Sequence, residues 1–268
     1  ILLWSYVTWT GVHRQSWGGC DLRKAVDPKS LALFLKLGIP SACMMALEVV
    51  GFEIATIFVG VFKDVTAVKA HSIAFNLNTW IWIIPIGFSI GSATRVGNRL
   101  GEGNAVGAKF SALVGFLTIG GILVFLTTGM IAFKSYIPLI YSSSPAVVEA
   151  CRKLMPLVAL LALLDGAQTF AGALMRSVGK PLAGSIVSFL GYYLLSLPVA
   201  AGLAWGAKMK LFGVWWGLLA GLAGAVTGYL VLISRVDWEK EAILARERVD
   251  AAHASEAAHA LDDDAQTD

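Results

Sequence analysis

Three carboxylic acids sit where a charge is costly. Glu48 and Glu53 fall inside the apolar stretch CMMALEVVGFEI (residues 43–54), and no lysine or arginine lies between Lys36 and Lys63 to pair with them. Asp165 is embedded in VALLALLDGAQTF (residues 158–170). An apolar setting disfavours the ionised form of a carboxyl. Such a group takes up a proton and releases it when a cation or water replaces its surroundings. An ionisable residue inside a membrane-spanning segment is therefore a functional-site hypothesis by default. At 100° per residue, Glu48 and Glu53 stand about 140° apart around a helix, which predicts that one faces a cavity while the other packs within the bundle. Asp165 and Gln168 are one turn apart on the same face and make a polar patch.

Other chemistries lack their motifs. There is no GxxxxGK[ST] phosphate loop, no HExxH and no GxSxG, and GEGNAVG (residues 101–107) reads as a loop between helices. Cys20, Cys43 and Cys151 have no CxxC spacing and read as small buried residues. His71 is the only histidine within the spans, while His253 and His259 fall in the tail. The reading is not an enzyme, with no cofactor, no metal site and no nucleic-acid partner.

The elements that must carry these acids follow from composition. The chain is 57% hydrophobic and 15% charged, against about 25% charged for a soluble domain. This is an all-α integral membrane protein in contact with the lipid bilayer. Six apolar segments, at 36–62, 66–94, 108–133, 147–175, 181–206 and 211–234, are each long enough to cross about 30 Å of hydrocarbon. DPKS (27–30) and YSSSPAVVE (141–149) read as capped helix starts, and GKP (179–181) ends the fourth segment and starts the fifth. Residues 1–10 are expected to be the end of a preceding helix, 11–30 an inter-lobe loop, 31–236 a six-helix lobe, and 237–268 a tail, partly helical and then disordered after His253. Thirteen basic residues fall on the side of the loops before the first span, between the second and third, between the fourth and fifth, and after the sixth. Seven fall on the other side. The positive-inside rule puts the larger set, and the C-terminus, in the cytoplasm. Pro40, Pro85, Pro156 and Pro198 interrupt the spans, and Pro40 and Pro85 are the candidate hinges beside the acids.

PSACMMALEVVGFEI (40–54) resembles the seventh helix of the multidrug and toxic compound extrusion (MATE) family, in its eukaryotic, plant-like branch. NLNTWIWIIPIGFSIGSATRVGNRLGEGN (76–104) is similar to the family's eighth helix, with Asn76, Pro85, Gly87, Arg95 and Asn98 at the expected positions. LLDGAQTFAGALMRSVGKPLAGSIVSFLGYYLLSLPVA (163–200) resembles the tenth and eleventh, through Asp165, Gln168, Gly172, Arg176, Gly179, Tyr192, Tyr193 and Pro198. Val50 and Phe52 depart from the Trp and Tyr that usually flank the second glutamate, and Arg99 replaces an acid in a loop motif.

The resemblance implies the C-terminal half of a twelve-helix antiporter that exports small organic solutes and xenobiotics, often cationic or phenolic, in exchange for H⁺ or Na⁺. It implies a missing N-terminal six-helix lobe as partner, and a plasma membrane or a vacuolar or other organelle membrane as location. Glu48 and Asp165 are then the coupling acids and Glu53 a supporting one, with Asn76, Gln168, Tyr192 and Tyr193 lining or supporting the cavity. The alternatives are a lipid-linked oligosaccharide flippase of the same superfamily, which should present basic residues to a pyrophosphate, and a membrane-embedded enzyme or assembly subunit.

Overall fold

A computed structural model describes residues 2–11 and 28–265. The expected loop at 11–30 lies almost wholly outside the described residues. Residues 1–39 and 40–268 form two separate compact units. The first contains helix α1 (Leu2–Thr10) and the start of α2 (Pro28–Val61).

In the second unit α2 is followed by α3 (Val65–Gly101), α4 (Ala105–Ala132), a short α5 (Ile137–Tyr141) and α6 (Pro145–Ser177). Next come α7 (Pro181–Phe189), a π-helical turn (Leu190–Ser196), α8 (Leu197–Ala201), a second π-helical turn (Gly202–Gly206), α9 (Lys210–Ser234) and α10 (Trp238–Ala265). Five stretches are long and apolar enough to cross a membrane: Phe34–Val61, Val65–Gly101, Ala105–Ala132, Pro181–Gly206 and Lys210–Ser234. The sixth long helix, α6, has 33 residues, more than half of them buried. The protein is a multi-pass helical membrane protein.

Side chains fix the helix starts. Asp64 accepts hydrogen bonds from the backbone N–H groups of Thr66 and Ala67 (3.0 and 3.1 Å), and Asn104 accepts from Gly107 N–H (2.7 Å). Ser144 makes no such bond, and α6 starts instead on Pro145, whose ring presets the helical φ and removes one orphan donor. Gly103 and Gly179 have φ of +76° and +78°, which lets the chain turn sharply after α3 and α6.

α6 runs through the centre of the lobe and divides the packing. Its residues from Leu154 to Ala162 join one apolar core with Phe52, Ala55, Ala74, Tyr192, Trp215 and Leu222. Its residues from Phe170 to Met175 join another with Met44, Val96, Leu123 and Tyr229. Asp165 and Gln168 lie on the stretch between the two.

α9 packs against the α7–α8 strip along a seam of small residues. A Cβ added at Gly217 would fall on the backbone of Ala200, and one at Gly213 would come within 2.5 Å of Ala204 N. One at Gly221 would strike Ser196 and come within 2.7 Å of the Gly191 carbonyl. The facing residues 191, 196, 200 and 204 are spaced five, then four, then four apart. The first interval is five because a π turn closes i→i+5 bonds and holds one extra residue.

α10 lies over the ends of the lobe's helices. Lys180 Nζ and Glu241 Oε1 are 2.7 Å apart, with Glu241 buried, and Arg246 donates to the Glu102 carbonyl (3.1 Å). The helix runs past His253, where the sequence reading expects disorder. Alanine at 254, 257, 258, 260 and 265 gives that stretch high helix propensity in spite of its acidic end.

Candidate functional site

Four elements bring the polar side chains of the interior together. α6 supplies Asp165 and Gln168, which are 3% and 2% exposed. α3 supplies Asn78, whose Nδ2 donates to Asp165 Oδ2 (3.0 Å). The first π turn supplies Tyr192, whose hydroxyl accepts from Gln168 Nε2 (3.0 Å). α2 supplies Glu48, whose carboxyl lies beside those of Asp165 and the Gln168 amide. Gly51, one turn from Glu48, lets α2 approach this group: a Cβ there would come within 2.9 Å of the Tyr192 ring.

The donors do not cover the acceptors. Asp165 Oδ1, Gln168 Oε1 and Asn78 Oδ1 are buried and have no hydrogen-bond partner among the described residues. A buried acceptor left without a donor costs about 1–3 kcal/mol, so three together mark a place where a donor is wanted.

Glu48 borders two cavities. The larger, of about 240 Å³, is lined by Glu48, Phe52, Glu53, Phe75, Asn78 and Asp165 among others. The smaller, of about 30 Å³, runs from Glu48 and Gln168 to Arg176 and Tyr229. Trp82 lines both and is held in place by a hydrogen bond from Nε1 to Thr169 Oγ1 (2.9 Å).

Most of the sequence-derived residues converge here, with three corrections. Glu48 and Glu53 line one cavity rather than being divided between cavity and bundle. Their side chains reach it from the two flanks of a stripe centred on Val49 and Phe52. Glu53 is exposed, however, and only Glu48 reaches Asp165. Asn76 is exposed and accepts from Trp80 Nε1 on its own helix (3.0 Å), outside the cluster; Asn78 occupies the inner position. Tyr193 faces away from the cluster, half-buried and stacked on Phe189 at 5.5 Å.

Pro85 is buried within α3, and the Pro40 carbonyl accepts from Ser185 Oγ (2.7 Å), which ties the start of the acid-bearing segment to α7. His71 Nε2 lies 3.0 Å from Thr56 Oγ1, between Phe75 and Trp215 and away from the acids.

Asn78, Trp82, Arg176 and Tyr229 were absent from the sequence-derived set. For Asn78 a signal existed. Ala67, Ala70, His71, Ala74 and Asn78 recur at helical spacing and are all buried, and Asn76 is off that stripe.

The chain matches the MatE family model over residues 40–201. It is 30% identical over 240 residues to multidrug and toxin extrusion protein 1 of Mus musculus, covering 90% of this chain and 42% of that protein. It is likewise 30% identical over 247 residues to multidrug and toxin extrusion protein 2 of Mus musculus, covering 92% of this chain and 42% of the relative. The chain thus spans well under half the length of these relatives. The crystal structure of the eukaryotic MATE transporter AtDTX14 superposes with a TM-score of 0.81 at 26% identity, covering 92% of this chain and 56% of that one.

Proposed function

This chain belongs to the MatE family, and from that premise we propose that it is the C-terminal lobe of an antiporter that exports organic cations in exchange for protons. The observation that carries the reading is the shortage of donors around Glu48. Asp165 Oδ1 is a buried acceptor beside its carboxyl and lacks a partner. A proton on Glu48 supplies the missing donor and removes one of two facing negative charges. A cation entering the cavity lined by Glu53, Phe52, Phe75 and Trp82 compensates both carboxylates and releases that proton, with aromatic faces adding cation–π attraction. The two ligands then exclude one another, which is the thermodynamic requirement for exchange.

In this reading Glu48 is the proton carrier, Asp165 its partner and Glu53 a guide for the cation. Gln168, Tyr192 and Asn78 hold the two acids in place. A second lobe closes the cavity, and alternating access comes from motion of one bundle against the other. The C-terminus lies in the cytoplasm, in agreement with the distribution of basic residues.

The test uses the full-length protein in proteoliposomes, with ethidium as probe cation. Glu48→Gln, which keeps volume and hydrogen bonding but cannot exchange a proton, should insert normally and lose efflux driven by a pH gradient. Asp165→Asn should do the same. Efflux at the wild-type rate in both variants would refute the proton site. Efflux driven by a sodium gradient alone would assign the coupling to Na⁺ instead.

A further inference from the structure

Glu48 has no basic neighbour in its own helix, yet the fold brings one to it. Arg176 stands in the last turn of α6, where a cation is favoured by the helix dipole. Its side chain also reaches the small cavity that Glu48 borders from the other end. Among the described residues the guanidinium makes no hydrogen bond or ion pair. It folds back beside Gly172, one turn earlier, where a Cβ would lie at ordinary contact distance from Nη1 (3.6 Å) and from the Tyr229 hydroxyl (3.7 Å). Tyr229 is already engaged with Ser188 Oγ and the Gly184 carbonyl, both at 3.0 Å. Lys180, the nearby lysine, is bound to Glu241.

Among the described residues Arg176 is therefore the only cation, and Glu48 the only acid, on that cavity's wall. The other titratable or polar groups around Glu48 are Asp165 and Gln168 from α6, Tyr192 from the π turn, Asn78 from α3, Tyr229 from α9 and, across the larger cavity, the exposed Glu53 of its own helix.

We propose that Arg176 is a positioning residue that receives Glu48 in its ionised state. Protonated, Glu48 stands against Asp165 and Gln168, donating its one O–H to Asp165 and accepting from the Gln168 amide. Ionised, it is repelled by Asp165 and turns into the small cavity toward Arg176, which leaves Asp165 to the entering cation. The exchange step is then a swing of one side chain between two preformed partners on the same helix, Asp165 and the Arg176 guanidinium, which folds back to the level of Gly172 about two turns from Asp165. This inference rests on Glu48 being the proton site.

The experiment measures ethidium efflux against pH in full-length wild type, Arg176→Gln, Arg176→Lys, Arg176→Met and Glu48→Gln. Loss of the cation removes the resting place of the ionised carboxyl. The pH of half-maximal exchange should therefore move upward by about one unit, a tenfold change in proton concentration, in the Gln and Met variants. Arg176→Lys should restore the wild-type profile. Arg176→Met reports the same effect should Arg176→Gln fail to insert. A profile unmoved in Gln and Met, or a rate lowered equally at every pH and not restored by Lys, overturns the pairing. That outcome leaves the proton site intact provided Glu48→Gln has abolished the pH dependence. A wild-type profile in Glu48→Gln overturns both.

Discussion

Replacing Gly217 by alanine tests whether the seam between α9 and the α7–α8 strip holds the lobe together. The added methyl would fall on the backbone of Ala200, and no side-chain rotation can relieve a clash with main chain. Carbon atoms pack at about 3.5–4.0 Å, so the two elements must move apart by about 1 Å, loosening the contacts at Gly213 and Gly221 as well. Overpacking of this kind costs about 1–3 kcal/mol, offset by roughly 1 kcal/mol of improved helix propensity. Gly121 in α4 provides the control, because a Cβ there meets nothing within 4 Å and only the propensity gain remains. Chemical unfolding of the purified protein in detergent should place Gly217→Ala about 1–3 kcal/mol below Gly121→Ala. Equal stability of the two variants would refute the claim that close backbone approach fixes this seam.

Other outcomes follow from the same geometry. Asn78→Leu removes the donor to Asp165 and should slow pH-driven ethidium efflux by about tenfold, the equivalent of one hydrogen bond to a charged group; Asn76→Leu should stay near the wild-type rate, and the reverse order would reject Asn78 as the inner residue. Glu241→Ala frees Lys180 and should speed amide exchange in the first turns of α10 by about fivefold, as expected for a pair worth about 1 kcal/mol, with α6 unchanged. Residues 1–268 reconstituted alone should move no ethidium, since alternating access requires two bundles; efflux by this lobe alone would show that a single lobe, or a pair of copies, suffices.

The long helices and the acids were legible because apolar length and isolated charge are local properties of a sequence. All six apolar segments became helices, and Glu48, Asp165, Gln168 and Tyr192 came together. What was not legible depends on neighbours. The two asparagines of NLN differ only in which lies on the stripe of small residues, and the resemblance favoured Asn76 while burial favours Asn78. Helical angle alone separated Glu48 from Glu53, yet long side chains on either flank of a stripe reach the same cavity. Arg176 reads as an ordinary C-terminal cation until the third dimension sets Glu48 opposite it. The π turns leave no mark in composition, because they answer to the spacing of residues on a different helix.

The first of those turns carries a consequence for how the chain tolerates change. Its surplus residue is absorbed by the wide turn, so deleting one residue between Gly191 and Ser196 would leave an ordinary helix with the downstream strip still in phase, whereas the same seven residues wound as an ordinary helix would rotate that strip by about 100°. In that rewound helix Ser196, Ala200 and Ala204 would swing off the glycines of α9, and bulkier neighbours would take their places. A single substitution on the outer surface of that turn, or loss of its surplus residue, leaves the seam in register, whereas an insertion there would ask the turn to hold a second extra residue. The seam thus depends on the turn staying wide for as long as it holds the surplus residue.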